Sequence, residues 1–332
     1  MLLIASLFSL LGLALAASRT SAPSRALVVS KSATSGQYSS IQAAVDALST
    51  TSTTAQAIFI NPGTYTEQVY IPARKAALTI YGYTTDTSSY SSNQVTITYG
   101  LSALSVSSND KTATVRAWSA NFKMYNINVV NSYGKGSQAL AISASATNQG
   151  YYGCKFFGYQ DTVLSETGYQ VFAKSLIQGA TDFIFGQHAS TWFDQCDIRV
   201  VTASLGYITA NGRSSSSDTS YYVINNSTVA AASGNTVKAG AFYLGRPWSQ
   251  YARVVFQETS LSAVINSVGW RIWSTSEPNT SDVLFGEYDN TGPGASGTRA
   301  SFATKLSSPV AITKILGNGY ASATYVDTSY LS

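Results

Sequence analysis

Histidine, cysteine and charge are what this chain of 332 residues has least of. One histidine, His188, and two cysteines, Cys154 and Cys196, offer no zinc-ligand spacing. No calcium-loop pattern occurs either, so we expect no metal and no other cofactor. The single histidine also weighs against a serine hydrolase, because there is no Gly-x-Ser-x-Gly elbow and only His188 is present to complete a triad. Charged residues make up 11% of the chain; 20 Lys and Arg against 16 Asp and Glu leave a net charge of +4 with no basic run. A dedicated nucleic-acid binder is thereby disfavoured, while an acidic polysaccharide remains a fitting partner. Long apolar runs are missing too, except at the start. Residues 1–17 carry no charge and end in the small-x-small triplet Ala14-Leu15-Ala16, the pattern of a secretory signal peptide. A secreted, extracellular protein with no membrane anchor is the expectation.

Abundant residues point to strands and turns: Ser, Thr, Gly and Asn are frequent and there are 22 tyrosines. Within that composition a short pattern recurs: an apolar residue, two variable ones, a small or polar one, a spacer and another apolar residue. Copies fall at Phe122/Tyr125/Ile127, Tyr151/Cys154/Phe156, Phe172/Ser175/Ile177, Phe193/Cys196/Ile198, Ile224/Ser227/Val229 and Phe256/Thr259/Leu261. The middle three are 21 residues apart and the flanking ones 29 to 32, as when one unit repeats with loops inserted between its strands. An all-β solenoid is implied, with a sandwich of accidentally similar strands as the alternative. Ile41, Ala44, Val45 and Leu48 follow helical spacing behind Ser39 or Ser40, which predicts a short N-terminal helix capping the first coil. No linker or composition shift interrupts the chain beyond this helix, so residues 18–332 read as a single domain.

The repeat has a chemical consequence. Asp161 lies seven residues after Cys154, and Asp182 seven after Ser175, so the two aspartates occupy equivalent positions on neighbouring coils. Stacked strands are about 4.8 Å apart. Carboxylates that close cannot easily both ionise, which separates their proton affinities and yields an acid beside a base or nucleophile. Two solvated aspartates at coil corners are the other reading, although Gly158-Tyr159-Gln160-Asp161-Thr162 and Asp182-Phe183-Ile184-Phe185-Gly186 surround each with glycine and aromatic residues. For the cysteines, the same register puts their Cα atoms two coils apart, about 9 to 10 Å. An unstrained disulfide reaches roughly 7 Å, so two buried free thiols are expected.

Those two segments, together with Gly63-Thr64-Tyr65-Thr66-Glu67, Gln138-Ala139-Leu140 and Leu244-Gly245-Arg246-Pro247-Trp248, stand in the order of the pectin methylesterase family, which the chain resembles from about Ser39 onward. The two-cysteine framework looks most like secreted fungal members. The resemblance implies a right-handed parallel β-helix and hydrolysis of the C6 methyl esters of homogalacturonan (pectin) to methanol and pectate. It implies Asp182 as nucleophile, Asp161 as acid and base, and Gln138 and Gln160 as donors to the anion that develops on the carbonyl oxygen. Arg246 would hold Asp182 ionised, and Trp248 and Tyr159 would meet substrate alongside Gln138 and Arg246. Each residue also has a plainer reading: an amide ladder for Gln160, a structural ion pair for Arg246, core for Trp248. Trp270 and Trp273 are undecided between groove wall and core, and His188 reads as incidental.

A pectin or pectate lyase shares the fold and the polymer, but would need a basic residue for proton abstraction and often calcium ligands. A non-catalytic polysaccharide-binding solenoid would not need the Gln, Asp and Arg set. Asn225, Asn226 and Asn279 open N-glycosylation acceptor triplets, and a monomer is the expected state.

Overall fold

The computed structural model describes residues 17–332, so the expected signal segment lies, but for Ala17, outside the described residues. From Leu27 to Lys305 the chain winds through three parallel sheets of eleven, eight and seven strands. One coil runs from Gln149–Tyr152 in the first sheet to Lys155–Phe157 in the second and Val163–Ser165 in the third, and Thr167–Ala173 then returns to the first sheet beside its starting strand. Within each sheet, every strand but the two at its edges pairs with its equivalents one coil before and after, which is a parallel β-helix. Period-2 alternation explains why the repeat was visible: inward residues such as Tyr151, Phe172 and Phe193 fill the lumen, and their rings stack at 4.5 and 5.1 Å. Truncating a wholly buried ring such as Phe172 to alanine should cost about 3–5 kcal/mol.

Beside the aromatic stack runs a small-residue ladder. Cys154 N–H donates to Ser175 Oγ at 3.0 Å and Cys196 N–H to Ser227 Oγ at 3.0 Å. Both thiols are free and buried, and burial pushes each up to about 12. One copy of the repeat is corrected. Tyr151 pairs with Met124, and Phe156 with Val129, so the first unit is Met124/Ile127/Val129 and not Phe122/Tyr125/Ile127. The slip is of two residues, which keeps the same face inward, and Phe122 is also buried, so hydrophobicity alone does not distinguish the registers.

The capping helix spans Ile41–Ala47, with Ser40 as N-cap accepting from Ala43 N–H and Ile41, Ala44 and Val45 buried over the first coils. Glu67 completes it, receiving the Ile41 and Gln42 N–H groups at 2.9 Å each. At the other end, Ile315, Leu316, Tyr325, Val326 and Tyr330 pack along the outer face of the eleven-stranded sheet, against Val171, Trp192, Val223 and Val255. Tyr125 Oη donates to Asp327 at 2.9 Å, and Ser332 N–H donates to buried Asp194 at 2.7 Å.

Candidate active site

Asp161 and Asp182 sit where the chain enters the seven-stranded sheet, one strand spacing apart, with Gln160 bridged to Thr181 and Asp161 N–H donating to Thr181 O at 3.0 Å. Both aspartates have left-handed backbone, φ 62° and 50°. Asp and Asn tolerate that conformation better than most residues, because a short polar side chain bonds locally. In the Thr181–Gly186 strand the register against the next coil shifts between Thr181 and Ile184, so Asp182 and Phe183 together oppose one residue. This bulge leaves Phe183 and Ile184 both in the interior core and delivers Asp182 to the outer face.

Arg246, on the strand Phe242–Pro247, meets Asp182 as a fork: Nε to Oδ1 at 2.9 Å and Nη2 to Oδ2 at 2.6 Å. Its guanidinium lies over the rings of Tyr207 and Trp273, 4.1 and 4.2 Å from their centroids. Contact with both rings restricts how the fork can turn. Asn109 donates to Asp161 Oδ2 at 3.2 Å from a short helix, Asn109–Thr112. The two aspartates, Arg246, Trp273 and Asn109 line a cavity of about 270 Å³ with Gln138, Gln160, Phe185, Ala210 and Trp248. Gln138 accepts from Ser137 through Oε1 at 3.2 Å, and its Nε2 makes no hydrogen bond among the described residues. A larger cavity of about 730 Å³ lies between Glu287 and Leu306, but there Glu287 is bound by Arg299 at 2.8 Å.

Each aspartate is 6% exposed. Burial drives Asp161 well above the usual carboxylate range, and the Asp182 charge adds to it. Burial raises Asp182 as well, but there the Arg246 hydrogen bonds and charge oppose it. The first proton therefore belongs to Asp161, and Asp182 is the more readily ionised of the two.

Tyr159 requires correction. It packs against the interior core and lines a separate hollow with Phe157, Gln178 and Val201, because the left-handed turn after it sends Asp161, and not the tyrosine, to the cavity. Trp273 belongs to the cavity, whereas Trp270 is fully buried and stacked on Phe285 at 4.3 Å. His188 faces Asp218 at 2.6 Å and does not line the cavity. Asn225 is also corrected as an acceptor: its buried amide donates to Asp194 at 2.7 Å and accepts from Gln257 at 2.8 Å. Asn226 is exposed, while the Asn279 amide is turned onto the Pro247 and Trp248 carbonyls. Asn109 and Tyr207 were not found from sequence. Ser108 as a helix N-cap is the one local signal near Asn109, and Tyr207 carries none.

The family model described as Pectinesterase matches residues 26–322. The chain is 56% identical over 321 residues to a pectinesterase of Aspergillus niger, and 57% identical over 320 residues to one of Aspergillus aculeatus, each alignment covering 96% of both chains. Among solved structures, the pectin methylesterase from Aspergillus niger superposes with a TM-score of 0.87 at 44% identity, covering 95% of this chain and 100% of that one.

Proposed function

This chain belongs to the pectinesterase family and hydrolyses the methyl esters of pectin, and on that premise we propose that Asp182 is its nucleophile and Asp161 its acid and base. The observation that carries the assignment is the asymmetry of the pair: one buried carboxylate forked by arginine, its neighbour hydrogen-bonded to the neutral amide of Asn109. An Asp182 oxygen attacks the ester carbonyl carbon, and the Gln138 and Gln160 amides donate to the oxyanion that forms. As the C–O bond to the methoxy group breaks, protonated Asp161 gives its proton to the leaving oxygen, and methanol departs from an acyl-Asp182 anhydride. Asp161, now a carboxylate, takes a proton from water as that water attacks the acyl carbon; cleavage returns Asp182 as carboxylate, Asp161 as acid, and a galacturonic acid unit that gives its proton to solvent. Trp248 supplies an apolar wall beside Phe185, ring centroids 6.3 Å apart.

Lyase chemistry finds no support in the cavity, because its one basic side chain, Arg246, is tied to Asp182. A binding-only solenoid would gain nothing from burying two carboxylates. Residues 18–332 act in this reading as one secreted, monomeric catalytic domain, with Asn226 as the accessible glycosylation acceptor. No helix among the described residues is long and apolar enough to cross a membrane. The test is methanol release and chain length measured together on highly methylated pectin, with wild type and Asp182→Asn. Methanol without chain shortening, lost in the variant, supports the assignment; full activity in the variant overturns it.

A further inference from the structure

The cavity occupies part of the outer face of the seven-stranded sheet, and the register carries that face on toward the first coils. One outward row leads from Phe185 through Leu164 and Ser143 to Arg116 and Tyr70. Trp118 follows Arg116 by two residues and so shares its face. At this end of the row two large rings are open to water, Trp118 at 42% and Tyr70 at 38% exposure. A single exposed aromatic is ordinary, but these two are fixed in place. Asp110 takes the Trp118 Nε1–H at 2.8 Å, the Ser143 hydroxyl at 2.7 Å and the Arg116 fork at 2.6 and 3.0 Å. The Arg116 guanidinium in turn lies 4.6 Å from the Tyr70 ring centroid. The indole's polar edge is thus held, and the ring that remains in water is apolar and ordered.

We infer that Trp118 and Tyr70 form a distal saccharide subsite, an aromatic platform on which pyranose rings of the galacturonan chain stack away from the ester being cleaved. The apolar C–H faces of a pyranose match such a surface, and the ordering that stacking normally requires has already been imposed by Asp110. The strand before Trp118 lies two strand spacings, about 10 Å, from the strand that follows Asp161, a separation that linked sugar rings bridge. Since Asp110 neutralises Arg116, the guanidinium beside the Tyr70 ring is not free to prefer a free carboxylate over its methyl ester. It therefore reads chain length and not esterification. The platform rests on pectin hydrolysis as the reaction of the cavity.

The test compares Trp118→Ala, Trp118→Phe and Tyr70→Ala with wild type on fully methylated oligogalacturonides, short and long, by methanol release. On long chains, Trp118→Ala should lower kcat/KM roughly three- to tenfold, mainly through KM, and Tyr70→Ala by less. On the shortest substrates the variant should match wild type, and Trp118→Phe should recover most of the long-chain rate. An equal loss on short and long substrates would make Trp118 a structural support of the 109–112 helix, and no loss on long ones would make it plain surface; either overturns the platform. Failure of the underlying reading is separate: wild type itself would release no methanol.

Discussion

At the corner between the eleven- and eight-stranded sheets, successive coils turn through Asn126, Gly153, Lys174, Gln195, Asn226, Glu258 and Asp289, all with φ between 43° and 57°. At the corner that leads into the seven-stranded sheet, Asp161 and Asp182 are the only non-glycine described residues in that conformation. The first corner accepts almost any side chain, including Lys, Gln and Glu, because the winding of the coil imposes the backbone and residues such as Glu258 extend into water. The second takes the same backbone into a place where charge is penalised, and adds a bulge, an arginine fork and an amide donor. Left-handed backbone repeated down a solenoid is architecture; buried and joined to donors, it becomes chemistry.

Four substitutions probe that contrast. Among the changes that leave both carboxylates in place, Gln160→Leu should act most strongly, lowering kcat by about 10²–10³ with little change in KM, since it deletes a donor needed chiefly in the transition state. Arg246→Lys keeps the charge but not the fork or the contact of a planar group with two rings, and a kcat loss of about 10² in the same methanol assay is expected. Asp161→Asn should abolish turnover yet stabilise the fold. A carboxyl whose folded proton affinity is raised contributes stability below its unfolded pKa, and that stability is lost as pH rises through the folded value. The variant should therefore melt higher than wild type at neutral and alkaline pH, by roughly 2 °C, with the gap closing toward pH 4. The smallest effect belongs to the other corner: Glu258→Asn, which suits left-handed backbone better, should raise Tm by about 1–2 °C and leave activity unchanged.

Much of this was legible in the sequence because a solenoid repeats itself. The 21-residue interval that aligns Tyr151, Phe172 and Phe193 in the lumen also aligns Asp161 with Asp182, so the fold and the proposed catalytic pair follow from one spacing. Contacts made by chain segments outside the repeat were not legible. Asn109 reaches Asp161 across 52 positions from an inserted loop, and Tyr207 meets Arg246 across a coil, with no spacing to announce either. Tyr159 and Asn225 mislead for a related reason: motif and acceptor triplet specify residue type, whereas a positive φ or a buried hydrogen-bonded amide decides which way the side chain faces. The two-residue slip at Phe122 shows where a period-2 signal runs out, since it fixes the face and not the register.

The C-terminal segment changes how the molecule should fail. Coils that touch only their neighbours would open like a zipper, one tooth at a time from either end. Here a strap lies across six strands of one wall, from Tyr125 to Val255, and is riveted by Asp327 at one point and through Ser332 to Asp194 at another. Fraying at one tooth must also lift the strap from the others. The stack is thereby tensioned like a bundle under a band, and a protease that cuts the band would free every coil it crosses at once.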